Sequence, residues 1–316
     1  MFSRIPTVLR SQELIDRSFL KASRITEPYY PKIETKIRKE ITDRVSTIEG
    51  ITCAHLFKLV KKFPTIEKLH PFYYHMIDLM FDVDQYKVSL SKAQWAGERI
   101  TDLSTDVIRR LKKAKTIELL NKIMKEFYGR YSSIIMSIDK DLIFLSRCRD
   151  WIRKVPDIDT GMPTFIIAGM PNVGKSSLLA KLTGNTPTIA PYPFTTQTIS
   201  IGLTEFDGKR VQIIDTPGIL DRPMKERNEM EMKSILSLRH IKGVIIFLMD
   251  PTGHSSYSVE QQEKLFTEIS TEFSATMIRI QTKCDMTPDR TEKIAISTET
   301  GEGLDLLREE MQKFLK

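Results

Sequence analysis

Glycine is nearly missing from the first half of this 316-residue chain. Only Gly50, Gly97 and Gly129 fall within residues 1–150, out of 14 glycines in all. Glycines are frequent from Gly161 onward, so glycine content divides the chain into two halves of different kind. Long apolar runs are also missing. No stretch approaches the roughly 20 residues that a membrane helix needs, and Met1-Phe-Ser-Arg-Ile-Pro6 lacks the apolar core of a secretory signal. A cytoplasmic protein with no membrane partner is the expectation. Cysteine is scarce: Cys53, Cys148 and Cys284 are odd in number and far apart. That excludes a disulfide framework and reads as reduced thiols. The five histidines (His55, His70, His75, His240, His254) make no zinc spacing with them, so structural roles are expected. Acidic charge is short in the first half alone. Residues 1–160 carry 30 Lys and Arg against 21 Asp and Glu, a net +9, whereas the remainder carries 18 against 20. The asymmetry points to a polyanionic partner for the N-terminal half.

What the first half has is helical periodicity. Ile33, Ile37 and Ile41 recur every four residues and lead to Val45 and Ile48. Ile77, Met80 and Phe81 keep helical spacing, and two further helical stretches run over 91–113 and 117–153. These patterns predict an antiparallel bundle of long helices. Pro156 and the segment to Pro163 make a linker, giving a helical bundle domain over 1–157 and a second domain over 158–316. The second half alternates. Strands are expected near 164–168, 198–206, 209–214, 243–249, 275–281 and 293–297, and helices near 175–183, 229–240, 258–270 and 303–315. The fold class is therefore α + α/β: a helical bundle, then a doubly wound sheet with its ligand at the strands' carboxyl ends.

The ligand follows from Gly169-Met-Pro-Asn-Val-Gly-Lys-Ser176, which directly follows the apolar run 164–168. This is the G-x-x-x-x-G-K-[ST] phosphate loop in its strand–loop–helix setting, so the fold class becomes a P-loop domain. Gly169 and Gly174 let successive N–H groups face phosphate, and the helix starting near Lys175 adds its N-terminal dipole. Lys175 is expected to reach the β- and γ-phosphates, and Ser176 to place its hydroxyl on Mg2+. Pro171, Asn172, Val173 and Ser177 complete the loop. Asp215-Thr-Pro-Gly218 follows a strand-like run. Asp215 at a strand end can hold Mg2+, usually through water, and the Gly218 N–H can meet the γ-phosphate. Thr282-Lys283-Cys284-Asp285 supplies a carboxylate able to accept two hydrogen bonds from guanine, which adenine cannot donate. The Lys283 stem would pack over the base. Ser297 and Thr298 can offer backbone N–H groups to the guanine oxygen. GTP and GDP are thus the expected ligands. Asp285 and Ser297 are too close in sequence for a full helix, so that crossover is expected to be a loop.

Between the two phosphate motifs lies Tyr192-Pro-Phe-Thr-Thr196. Thr196, with Thr195 as the alternative, is expected to close on Mg2+ and the γ-phosphate as a switch. Ile219 and Leu220 stand where many such proteins place a water-orienting Gln, so charge and orientation must come from elsewhere. Asn172 is either a turn-forming residue or one that helps hold K+, in which case turnover should rise in potassium over sodium.

Basic clusters in the first half include Lys32, Lys36, Arg38 and Lys39; Lys58, Lys61 and Lys62; Arg109, Arg110, Lys112, Lys113 and Lys115; and Arg147, Arg149, Arg153 and Lys154. Each suits a solvated helix face, and together they favour RNA backbone contact by shape and phosphate rather than DNA reading.

The four second-half motifs resemble those of translation-factor-type GTPases, with Thr282 where those usually carry Asn. His70-Pro-Phe-Tyr73, Asp84-Gln-Tyr-Lys87, Pro171-Asn-Val-Gly-Lys-Ser-Ser177, Tyr192-Pro-Phe-Thr-Thr196 and Asp215-Thr-Pro-Gly-Ile-Leu-Asp221, with Arg227-Asn228 and Glu231-Met232, resemble the nucleolar GTP-binding (Nog) family of Obg-related GTPases. The resemblance implies GTP hydrolysis and a role in large ribosomal subunit assembly, with the subunit precursor or its RNA as partner. Eukaryotic members carry a long C-terminal extension, so this chain resembles a compact, archaeal-type form. Two rival readings remain: a nucleotide-dependent placeholder, and a regulator acting through a protein partner.

Overall fold

The computed structural model describes residues 5–28, 30, 32–184, 187–193, 197–223, 225 and 227–315. The chain divides into two compact units. One contains Met1–Lys68 and Phe81–Arg153; the other contains Leu69–Met80 and Lys154–Lys316.

The first unit is helical: α1 (Ser11–Ser23), α2 (Ile33–Lys62) and, beyond α3 (Pro71–Met80), which belongs to the second unit, α4 (Val83–Lys113), α5 (Ile117–Ser137) and α6 (Asp139–Ile152). The periodicity of α2 converts directly into packing, since Ile41, Val45, Ile48, Thr52, Leu56 and Leu59 are all buried. Ile33, the first residue of that series, is exposed. Helix α4 begins before the expected 91, because the Asp82 carboxylate caps it by accepting from the N–H groups of Asp84 and Gln85. The helix expected over 117–153 is two helices, broken at Ile138, whose backbone leaves the α region. Several buried polar groups inside this unit pair with one another. The hydroxyls of Ser18, Thr52 and Tyr131 bond one another at 2.9–3.2 Å, and Asp141 accepts from Ser89 and Lys92.

The second unit is built on a six-stranded mixed sheet in the order β2-β3-β4-β1-β5-β6. Its strands are β1 (Thr164–Ala168), β2 (Thr188–Pro191), β3 (Thr198–Phe206), β4 (Lys209–Asp215), β5 (Gly243–Met249) and β6 (Met277–Gln281). Every residue of β1 is buried, as a central parallel strand between β4 and β5 requires. Strands β2 to β4 run antiparallel. The two-residue turn Asp207-Gly208, with φ of 49° and 76°, has the positive dihedrals that let β3 and β4 form a tight hairpin. Helices α7 (Lys175–Thr183), α8 (Glu229–Ser237), α9 (Val259–Phe273) and α10 (Leu304–Gln312) complete the unit.

Two details differ from expectation. β2 was not anticipated, since its residues are largely exposed and carry no clear alternation. The strand expected over 293–297 is one bridge, Ala295 to Gln281. The crossover after β6 is a loop, as its length required. The Gln281 side chain stitches it down, donating to Asp289 O and accepting from Thr291 N–H, while Arg279 holds Glu292 and Glu263.

Helix α3 packs on α8 and on the short turn Leu238–His240. Pro71 begins α3, where its missing N–H costs nothing. Buried Tyr73 donates from its hydroxyl to Ile158 O at 2.6 Å and accepts from Ile158 N–H at 2.8 Å, tying the start of the linker to α3.

Candidate functional site: a phosphate loop at the carboxyl ends of β1 and β4

The phosphate loop joins β1 to α7. Gly174 caps α7 with φ of 98° and Gly169 has φ of 139°. A Cβ on Gly169 would lie 2.8 Å from Leu248 O, so only glycine allows the loop to lie against the end of β5. Asn172 also has positive φ, 64°, and is exposed. Val173 is fully buried and anchors the loop.

Lys175 is buried at the head of α7. Its Nζ donates to Gly169 O and Met170 O, both at 2.8 Å. Burial pulls its pKa below the usual lysine range, with Asp221 and Asp215 opposing. The Ser176 hydroxyl donates to Asp215 Oδ2 at 2.6 Å across the β1–β4 boundary. Asp215 Oδ1 is buried and has no hydrogen-bond partner among the described residues. Burial raises the Asp215 pKa, and the Ser176 hydrogen bond counters it. A hydroxyl beside a buried carboxylate with an oxygen to spare is a hard-oxygen donor set that fits Mg2+. No group of three or more His, Cys, Asp and Glu side chains suited to a metal occurs among the described residues. An ion here would draw its remaining oxygens from phosphate, water or hydroxyl groups.

Gly218, with φ of 71°, ends the second motif. A Cβ there would fall 2.2 Å from Gln197 Cδ, so the Gln197 carboxamide lies directly on Gly218. The Gly218 N–H donates to Asp221 Oδ2 at 2.6 Å. Arg227 donates to the carbonyls of Gly218, Ile219 and Arg222, clasping this loop. Ile219 and Leu220 are fully buried and belong to the core. Thr196, the expected switch residue, and its alternative Thr195 lie outside the described residues. Tyr192, just before them, is buried and donates to Ser234 O of α8, while Ser234 donates to Pro193 O.

The residues expected to recognise the base follow β6, and Asp250 follows β5. Thr282 is buried; its N–H donates to Met249 O at 2.8 Å and its hydroxyl lies 3.3 Å from the same oxygen. The hydroxyl thus supplies a stitch between strands. Lys283 has φ of 55° and pairs through Nζ with Asp250 Oδ2 at 2.6 Å. Burial drives the Asp250 pKa up, but hydrogen bonds from Lys283 and Thr252 outweigh it and hold the carboxyl below its ordinary range. Asp285 is exposed. The Ser297 N–H is committed to Glu302 O, and its hydroxyl accepts from the N–H groups of Glu299 and Thr300. Sequence reasoning assigned no role to Asp250, Gln197, Asp221 or Arg227. Asp221 and Arg227 had a signal, since both stand in motifs quoted for the family resemblance.

A phosphate loop and a metal-compatible Ser–Asp pair on one mixed sheet define the class: a P-loop guanine-nucleotide-binding protein with a helical N-terminal domain. Comparison with known proteins makes this specific. Residues 2–159 match the NOG1 N-terminal helical domain, and residues 164–283 match the 50S ribosome-binding GTPase family. An uncharacterized protein of Methanocaldococcus jannaschii is 34% identical over 290 residues, covering 90% of this chain and 81% of that protein. Nucleolar GTP-binding protein 1 of Encephalitozoon cuniculi is 34% identical, covering 90% of this chain and 54% of the relative. That of Saccharomyces cerevisiae is 33% identical, covering 85% and 42%. The chain belongs to the nucleolar GTP-binding protein 1 family. It spans about half the length of the relatives that carry that name. Among the described residues, no helix is long and apolar enough to cross a membrane.

Proposed function

We propose that this protein hydrolyses GTP to GDP and phosphate and works as a switch in assembly of the large ribosomal subunit. The observation that carries the nucleotide chemistry is the arrangement around the phosphate loop: Lys175, the Gly218 N–H and the Ser176–Asp215 pair. Lys175 and the loop amides bind and orient the β- and γ-phosphates. Ser176 and Asp215 would hold Mg2+, with Thr196 as the proposed third ligand; the ion when bound neutralises phosphate charge. Water forms a bond to the γ-phosphorus as the bond to the β–γ bridging oxygen breaks. With Ile219 and Leu220 buried, orientation of that water falls to residues already at the loop. Gln197 brings a carboxamide to Gly218, and Asn172 stands on the phosphate loop as the proposed K+ partner. Asp285, Lys283 and Thr298 are the proposed contacts to guanine.

The assembly role rests on the family and on charge. In the bundle, Arg38, Lys39, Arg109 and Arg110 already have protein partners. Lys58, Lys61, Lys62, Lys112, Lys113 and Lys115 are exposed and offer the phosphate contacts that RNA docking needs. Calorimetry with GDP, GTP and ATP tests the first claim; equal affinity for ATP ends it. Co-sedimentation with large-subunit particles, with GDP against a non-hydrolysable GTP analogue, tests the second. Absence from particles under both nucleotides removes the assembly role and leaves the GTPase reading intact.

A further inference from the structure

One oxygen links the two groups that the site offers to a γ-phosphate. Asp221 Oδ2 accepts the Gly218 N–H at 2.6 Å and lies 3.9 Å from Lys175 Nζ. Both partners of this ion pair are buried, with side-chain exposures of 6% for Lys175 and 10% for Asp221. The remaining Lys175 contacts are carbonyls of the phosphate loop itself. The oxygen of a γ-phosphate would make the same pair of interactions: one main-chain amide and one ammonium.

We propose that Asp221 is a built-in stand-in for the γ-phosphate and so sets the balance between GTP and GDP. The inference rests on the nucleotide site proposed above. A diphosphate leaves the γ position to the carboxylate, which keeps both hydrogen-bonding groups satisfied. A triphosphate cannot share that position, because two anionic oxygens would have to meet at one amide, and like charges so placed repel when desolvated. GTP therefore enters only as Asp221 withdraws. Asp221 lies three residues beyond Gly218, in the loop whose carbonyls Arg227 clasps, so its withdrawal bears on that clasp. The device also accounts for a carboxylate, rather than an amide, at a buried position beside Asp215. The local cost of two acidic groups is offset by Lys175 between them, and the arrangement is complete only while no third anion is present.

The test is isothermal calorimetry of the full chain with GDP and with a non-hydrolysable GTP analogue, on wild type, Asp221→Asn and Asp221→Ala. Asn keeps the shape and removes the charge; Ala removes the contact. Expected is a rise in analogue affinity on the order of tenfold in Asp221→Asn, with GDP affinity changed less than about threefold. Asp221→Ala should shift the ratio in the same direction, and melting curves confirm that each variant is folded. Equal changes for the two nucleotides in both variants, or a fall in analogue affinity alone, overturn the stand-in and make Asp221 a structural or triphosphate-binding group. Failure of the wild type to bind GDP overturns the nucleotide site itself, and this inference with it.

Discussion

The two units make opposite use of the backbone. Among the described residues every positive φ lies in the second unit, at eight glycines and at Asn172, Asp207, Ser256, Ser274 and Lys283. The first unit has none, and its long helices are held by side-chain seams such as Ile41 to Leu59. Positive φ at non-glycine residues costs of order 1–2 kcal/mol each and persists only where surrounding structure fixes it. Two of the five, Asn172 and Lys283, are residues assigned to the nucleotide. The basic excess lies wholly on the other side of the comparison, where residues 1–68 and 81–153 carry 29 Lys and Arg against 18 Asp and Glu. One unit therefore concentrates positive φ in its loops, and the other carries its charge on a scaffold without it.

The contrast breaks if damage to one unit appears in the other's readout. The largest expected effect is in the helical seam. Leu56→Ala, at a fully buried position, should cost about 2–5 kcal/mol in urea unfolding of that unit, and GDP affinity should stay within error. A parallel loss of nucleotide binding would deny the units' independence. Lys175→Ala addresses the other side. Nucleotide affinity should fall about a hundredfold by calorimetry, while the helical unit's unfolding transition stays in place.

Acid sharpens the comparison. Burial lowers the His55 pKa to about 4 from 6.5, and its neutral ring accepts the Leu9 N–H. The unfolded chain takes up the proton first. Stability that is full above 6.5 is therefore lost as pH falls toward 4, by about 2–3 kcal/mol in all. His55→Gln should flatten that slope in the helical unit alone. The smallest effect is Gly174→Ala. No protein atom lies within 4 Å of the added methyl, so within the chain itself the cost is the strained φ, at about 1–2 kcal/mol. It should appear as weaker GDP binding, whereas Gly129→Ala, helical and equally unobstructed, should be neutral or stabilising.

The nucleotide motifs were legible because their chemistry needs fixed residue types at fixed spacing along one chain segment. The class of each half was legible for a similar reason, since period and glycine content change together near residue 160. What stayed hidden depends on contacts distant in sequence or on side chains without a pattern. Gln197 meets Gly218 only because β3 and β4 pair, and Asp250 meets Lys283 only because β5 and β6 do. The break at Ile138 is invisible to periodicity, because the apolar spacing continues through it. The role of α3 was hidden most completely: it is encoded within the helical half, yet packs on α8.

That placement decides how the protein can be dissected. A fragment cut at the apparent boundary, residues 158–316, would lose the phenol that grips Ile158 and uncover the flank of α8 where Met76 meets Ser234. A biochemist wanting the nucleotide-binding half alone would have to carry residues 69–80 along, joined by an artificial tether, or work with the intact chain.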